Sequence, residues 1–193
     1  MIPPNPRPQA MPVPRPTRRA VFRYGFAFAC LLDLPSFAQV NEAQPAMSEA
    51  EIDRLRDVAP EPQQRLLAFI SFLDKRANAI EKLVSGSRHP GREQDIHDLM
   101  EQFNSICDDL GDNLDDYSRR HRDVRKVLPK LISASERWAT VLRTPPQDER
   151  YNIARKLALT SLGDVQDSAR QMVEEQRTYF QTHSPNEEAS GAG

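Results

Sequence analysis

Charged side chains are sharply segregated along the middle of this chain. Residues 93–118 include nine acidic residues and no lysine or arginine, whereas residues 119–130 include six basic residues and one acidic residue. At about 100° per residue on a helix, Asp108, Asp112 and Asp115 lie on one line, roughly opposite the apolar positions of the same segment. Carboxylates at these spacings can hold Ca²⁺ or Mg²⁺, although one helix provides only an open, weak site. The pattern favours the alternative, an outward-facing acidic surface that keeps the protein in solution.

The basic residues that follow also have two interpretations. Cations close to the carboxyl end of a helix interact favourably with its dipole, by ~0.3–1 kcal/mol each when exposed. They are alternatively a docking patch for a protein partner, with Arg119, Arg120, Arg122 and Arg125 as the candidate contact residues. Nucleic-acid binding is not expected, because the chain as a whole is acidic.

The sequence contains no motif typical of an enzyme. It has no glycine-rich phosphate loop, no Cys-x-x-Cys pair, no His-Glu-x-x-His and no Gly-x-Ser-x-Gly. The inward positions of the predicted helices are nearly all apolar, which argues against a metal site in the core. We therefore expect a protein that is not an enzyme, with no catalytic residues and no cofactor.

Helical signals extend over most of the chain and define the elements that must position these charges. Ser48 and Glu51 form a capping box for a short helix that ends before Pro60. Pro62 is suited to the first turn of a second helix, and Gly86 is positioned to end it.

Apolar residues three and four apart continue from Ile96 to Leu142. One unbroken helix of that length would be about 75 Å long at ~1.5 Å per residue, longer than its neighbours could cover. We therefore predict a turn at 118–122 and a fourth helix from about Asp123, with Pro129 either in its first turns or at a kink. Cys107 lies beside the apolar stripe, which predicts that its thiol is buried.

The last helix is predicted to open at Thr144, with Pro145 in its first turn and Gln147 as the second capping residue. Its predicted inward residues are Tyr151, Ala154, Ala158, Val165, Ala169, Met172, Tyr179 and Phe180.

The chain is thus predicted to be all-α. No segment alternates with a period of two over a useful length, and seven glycines leave few β-turns. The expected architecture is an antiparallel bundle of four main helices with a short N-terminal helix, over residues 48–183. Residues 39–47 are expected to be a flexible leader and residues 184–193 a disordered tail.

Residues 17–38 have the three parts of a bacterial export signal: basic residues, a short apolar run and small residues at the exit. The stretch 17–23 resembles the twin-arginine export motif, with Val21 where phenylalanine is usual. An ordinary export signal for an unfolded chain is the alternative. The apolar run is too short for a membrane-spanning anchor. Residues 1–38 are therefore expected to be removed by cleavage between Ala38 and Gln39, and the protein to be periplasmic or secreted.

Cleavage would change the properties of the chain. Residues 1–38 include five arginines and one aspartate, so the remaining 155 residues have 21 basic and 27 acidic residues, a net charge of −6. Cys107 would be the only cysteine left, which excludes an internal disulfide. We expect an exported, non-enzymatic bundle that acts through protein contacts as a scaffold, adaptor or chaperone-like binder. Its partner is another protein or a second copy, without stable membrane insertion. The alternative is a weak cation-binding bundle that uses the acidic face 108–116.

Overall fold

A computed structural model describes residues 45–183 of the chain. These residues form five α-helices and no strand, which confirms the all-α class. The helices are α1 (Glu49–Asp57), α2 (Pro62–Ser85), α3 (Arg92–Arg119), α4 (Leu128–Arg143) and α5 (Asn152–Thr182). The expected export signal 1–38, its cleavage point between Ala38 and Gln39, and the expected tail 184–193 lie outside the described residues.

The beginnings of the first two helices follow the predicted local chemistry. The Ser48 hydroxyl accepts a hydrogen bond from the Glu51 N–H at 3.3 Å, and the Glu51 carboxylate accepts one from the Ser48 N–H at 3.1 Å. This reciprocal pair satisfies two amides that an uncapped helix leaves unbonded. Pro62 is the first residue of α2, and Gly86 follows its last residue. The end of the expected leader, Ala46 and Met47, packs against the core.

The predicted turn after α3 is present, but α4 begins at Leu128 rather than near Asp123. Pro129 lies in the first turn of α4, where a backbone N–H has no acceptor within the helix, so proline is tolerated there. The alternative that Pro129 marks a kink is therefore wrong. The later start has a local cause. The Asp123 carboxylate accepts a hydrogen bond from the Arg125 N–H at 3.2 Å, which stabilises a turn before the helix.

The predicted start of the last helix at Thr144 is wrong. Thr144 instead follows the end of α4, and its hydroxyl donates to the carbonyl of Thr140 at 2.9 Å. The cause is the pair Pro145–Pro146, because a proline disfavours helical backbone in the residue before it, and Pro146 therefore disfavours a helix that begins at Pro145. Thr144 itself keeps helical backbone as the cap of α4. The carbonyl of Pro146 accepts a hydrogen bond from the Tyr151 hydroxyl at 2.7 Å, and α5 begins only at Asn152.

The apolar stripes of the helices meet in one core. Helix α2 packs against α3 and α4, α5 packs against α3 and α4, and α1 packs against α2. The largest fully buried side chains are those of Trp138, Phe69, Phe103, Leu66, Ile70, Leu73, Ile80, Ile96, Met100, Ile106, Leu110 and Leu114. Within the described residues, no helix is long and apolar enough to span a membrane.

The thiol of Cys107 is fully buried in this core, as predicted. Burial raises the pKa of the thiol well above its ordinary value, and the adjacent Asp108 raises it further. We therefore expect the thiol of a Cys30→Ser variant to react with a disulfide reagent only after unfolding, as an absorbance assay would measure. Ser133 is exposed, so a cysteine placed there is the control that reacts at once. Rapid reaction of Cys107 in the folded protein would contradict the prediction.

Candidate interaction surface

The three aspartates proposed as cation ligands all lie on the exposed side of α3. Asp108, Asp112 and Asp115 are exposed, and the amide of Asn104 donates to Asp108 at 3.3 Å. Asp109, beside them, is half-buried, and burial together with the charges of its acidic neighbours raises its pKa. Within residues 45–183, no group of three or more acidic, histidine or cysteine side chains is placed to hold a metal ion. The cation hypothesis therefore gains no support from the geometry.

The four arginines proposed as partner contacts each bond to a neighbouring group of the same chain. Arg119 and Arg120 share the carboxylate of Asp116, at 3.7 Å and 2.9 Å. Both are more than two-thirds exposed, so these pairs contribute little to stability. Arg122 donates to the carbonyl of Pro60 at 3.3 Å, which links the turn to the segment before α2.

Arg125 is bound more closely than the other three. Its guanidinium donates to both oxygens of Asp123, at 3.0 Å and 2.9 Å, and lies 4.3 Å from the ring centre of Phe180. Next to it, His121 has a left-handed backbone (φ 51°) and stacks on Tyr179 at 3.9 Å. Arg125 and His121 thus fasten the α3–α4 turn to the end of α5, whereas Arg119 and Arg120 pair with Asp116 of α3.

A buried glutamine, which sequence reasoning missed, binds the backbone of the α3–α4 turn from the core side. Gln176 of α5 is 3% exposed. Its amide nitrogen donates to the carbonyl of Arg122 at 2.7 Å, and its amide oxygen accepts from the N–H of Val124 at 3.1 Å. The available sequence signal was its position, four residues after the buried Met172 on the inward stripe of α5.

Replacing Gln176 by leucine is expected to lower the free energy of unfolding by about 1–3 kcal/mol, because it leaves two buried backbone groups without a partner. Urea unfolding followed by circular dichroism measures this change. Gln171→Leu is the matched control, since Gln171 is exposed on the same helix and its side chain donates to the exposed Glu175 rather than to buried backbone. Equal effects of the two substitutions would contradict the prediction.

An ion pair joins α1 to α2 in a mostly buried setting. Glu51 is 5% exposed and Arg76 is 8% exposed, and the two guanidinium nitrogens of Arg76 lie 2.5 Å and 2.7 Å from the carboxylate oxygens of Glu51. Lys75 adds a third contact at 3.3 Å. These donors lower the pKa of Glu51 to about 2, although burial acts in the opposite direction. The cleft of about 380 Å³ between α1 and α2 therefore contains a carboxylate that is already saturated with donors.

This pKa predicts a loss of stability in acid. The pKa of Glu51 falls from an ordinary value of 4.5 to about 2 on folding, so the carboxylate stabilises the folded state fully above pH 4.5 and progressively less as the pH falls towards 2. The contribution lost over this window is about 3 kcal/mol. Urea midpoints measured across the window should fall steeply for the natural sequence and less steeply for Glu51→Gln. Parallel pH profiles would contradict the prediction.

Two large apolar side chains are strongly exposed at the beginning of α5. Ile153 is 75% exposed and Leu157, one turn later, is 52% exposed. They lie on the side of α5 opposite the buried residues Ala154, Ala158 and Leu162. The other large apolar residues of the described chain are buried or half-buried.

Sequence reasoning missed this patch because it followed only the inward stripe of α5. Each residue turns the helix by about 100°, so Ile153 and Leu157 lie to one side of that stripe and not on it. That offset, visible in the sequence, is the signal that could have found them.

Charged residues flank the patch on the same side of the helix. Lys156 adjoins Leu157, and Asp164 lies about two turns further along. Within the described part of the chain, neither side chain has an ion-pair partner. We call the line formed by Ile153, Leu157, Thr160, Asp164 and Asp167 the α5 ridge; all five residues are exposed. Asp167 pairs with Arg170 of the same helix at 3.8 Å. The α5 ridge thus combines apolar area with neighbouring charged residues, as the core and rim of a protein interface do.

Comparison with known proteins adds no relative: no family model matches the sequence, and no curated protein or solved structure is similar enough to match it.

Proposed function

We propose that this protein is an exported, non-enzymatic helical bundle that acts through contacts with other proteins, as a scaffold, adaptor or chaperone-like binder. The observation that supports this proposal most is the exposure of Ile153 and Leu157 on the outer side of α5, at 75% and 52%. Single apolar residues at a surface are common, but these two adjoin and form one patch. Burial of one such side chain is worth about 1.5–3 kcal/mol, so a protein partner that covers the patch gains affinity from it.

The order in which the helices pack supports a four-helix bundle. Each of α2, α3, α4 and α5 packs against two of the others, so that the four close a ring in the order α2, α3, α5, α4. Their buried residues recur at steps of three and four, the spacing of helices packed side by side in bundles.

Polar contacts between the helices support a direction for each pair. Arg65 at the beginning of α2 donates to Asn113 near the end of α3, at 2.8 Å, as expected for antiparallel neighbours. By contrast, Ser161 of α5 donates to Asn104 of α3 at 2.8 Å, and further along both helices Ser118 of α3 donates to Glu175 of α5 at 2.8 Å. These two contacts are those of parallel helices. The arrangement we propose therefore alternates in direction along the chain, with α3 and α4 at opposite corners and with α3 and α5 running the same way.

Export is the part of the proposal that rests on residues 17–38. Their basic, apolar and small residues follow the order of a bacterial export signal. Identification of the N-terminal residue of the protein isolated from its own cells tests this directly, together with the cell fraction that contains it. We expect Gln39 in the periplasmic or secreted fraction. An uncut chain that begins with methionine in the cytoplasm would contradict export.

Contact with other proteins is tested by a photo-crosslinking amino acid at position 153 in the protein made in its own cells. We expect discrete covalent adducts of higher mass on gels. The control carries the same amino acid at position 133, which is exposed on α4. The absence of adducts at position 153, or an identical adduct pattern at position 133, would contradict the proposal.

Cation binding remains the alternative function and has its own test. If Asp108, Asp112 and Asp115 jointly hold Ca²⁺ or Mg²⁺, millimolar cation raises the melting temperature, and replacement of the three residues by asparagine abolishes the rise. A melting temperature that does not change with cation would reject it.

A further inference from the structure

We propose that the α5 ridge binds the same ridge of a second copy of this chain, with the two α5 helices antiparallel. This inference rests on the proposed function, since it names the partner of that contact. The two-fold axis of this dimer passes near Thr160, so that Leu157 of each copy lies beside Gly163 and Asp164 of the other.

The shape of the ridge is suited to a helix–helix contact. Its residues follow at steps of four, three, four and three, so they lie on one side of the helix as a narrow seam. The inward side of α5 has the same spacing at Ala158, Leu162, Val165, Ala169 and Met172, which pack in the core. Helix α5 thus has two seams, and among residues 45–183 only the inward one is covered by other helices.

The distribution of charge along the ridge favours a second copy over another partner. The amino-terminal part of the ridge is apolar and is flanked by Lys156, whereas the carboxyl-terminal part contains Asp164 and Asp167. An antiparallel copy brings the basic part of each ridge to the acidic part of the other. Because of the two-fold symmetry, each favourable pair of opposite charges occurs twice.

The antiparallel orientation follows from the same charges. A parallel copy would place Lys156 beside its own counterpart and Asp164 beside its own, which is repulsive in both places. Since Lys156 and Asp164 have no ion-pair partner among the described residues, each is available to the second copy. Exposed ion pairs add little affinity, so their main effect is on orientation and on salt dependence.

The local packing leaves room for this contact. Gly163, next to Asp164, has no side chain, and a Cβ added there would meet nothing within 4 Å. Leu157 of the second copy can therefore approach the backbone near Asp164. One helix ridge is smaller than the ~800 Å² per partner typical of a stable complex, so we expect a dimer that dissociates on dilution.

Sedimentation velocity of the full-length protein over a concentration series tests the dimer. We expect a monomer–dimer equilibrium, weakened at least about tenfold by Leu157→Asp, which removes an apolar contact and places a carboxylate beside Asp164 of the second copy. Ser133→Asp is the control, because Ser133 is exposed on α4 and the change of charge equals that of Leu157→Asp. Circular dichroism checks that each variant remains folded. A protein that stays monomeric at every concentration would overturn the inference.

A charge exchange tests the orientation. Lys156→Glu and Asp164→Lys should each weaken dimerisation, since each variant paired with itself sets like charges against each other. A mixture of the two should recover the dimer, because the glutamate introduced at position 156 of one chain then meets the lysine introduced at position 164 of the other. No recovery in the mixture would overturn the antiparallel pairing.

The photo-crosslinking amino acid at position 153 separates this inference from the function on which it rests. Adducts of twice the chain mass support the second copy. Adducts only of other masses overturn the inference and leave a contact with a different protein. The absence of any adduct contradicts both.

Discussion

Replacing Arg76 by methionine is expected to lower the free energy of unfolding by about 3–5 kcal/mol, the usual effect of removing one partner from a buried ion pair. Methionine has a similar length and fills the space, but it cannot donate to Glu51. The substitution also removes the hydrogen bonds of Arg76 to the carbonyl of Ala46, at 2.7 Å, and to the side chain of Gln102, at 3.3 Å. The segment before α1, helix α1 and helix α3 thereby lose the one guanidinium that donates to all three.

Two measurements distinguish a loss of global stability from a local opening of α1. Urea unfolding followed by circular dichroism reports the global change, and hydrogen exchange reports the amides of α1. Helix α1 packs against α2 and lies outside the ring of the other four helices, so it can unfold locally while the rest stays folded. Part of the lost stability then appears as faster hydrogen exchange in residues 49–57. Arg56→Met is the matched control, since Arg56 pairs with Asp53 at the surface and should change stability by less than about 0.5 kcal/mol. If Arg76→Met behaves like that control in both measurements, the buried pair does not stabilise the fold.

Replacing Trp138 by alanine should have a comparable effect, about 3–5 kcal/mol, because it opens a large cavity in the core. Trp138 is 0% exposed, and its ring meets that of Phe103 edge to face at 5.9 Å between centres. Its indole N–H donates to the carboxylate of Asp74 at 2.7 Å, which joins α4 to α2. The alanine variant loses the ring contacts and this bond together.

Two further variants separate the contributions at this position. Trp138→Phe keeps most of the apolar volume and loses the hydrogen bond, so about 1–2 kcal/mol is expected. Arg137→Ala removes the exposed pair with the same Asp74, 2.6 Å apart, and should cost less than about 1 kcal/mol. Urea unfolding followed by circular dichroism measures all three, since the alanine variant has no tryptophan fluorescence. A cost of Trp138→Ala no larger than that of Arg137→Ala would show that the core adjusts to the loss.

Signals between neighbouring residues were the most successful predictors. The capping box of Ser48 and Glu51, the role of Pro62 and the burial of Cys107 each depend on residues close in sequence, and each was confirmed. The same kind of signal failed at Thr144, where one residue satisfied a helix-start pattern while the proline pair beside it opposed a helix. Two local preferences competed there, and the sequence alone did not rank them.

The roles of charged residues were harder to predict than the helices. The segregation of acids and bases pointed to Arg119, Arg120, Arg122 and Arg125 as contacts for a partner, which stays a prediction. The structure adds that each of them also has a neighbour within its own chain. Arg76, by contrast, drew no attention in the sequence. Its partner Glu51 lies 25 residues away, and no periodicity connects the two.

The amino-acid sequence by itself determined that the described chain is helical, because hydrogen bonds and side-chain contacts within a helix join residues three and four apart. It did not determine where α4 and α5 begin. Only the tertiary structure decided which apolar residues of α5 are covered, since Ile153 and Ala154 differ by one position and only one of them meets a neighbouring helix. It also decided which charges are buried in pairs, because desolvation depends on the other helices that surround a side chain and not on its sequence neighbours.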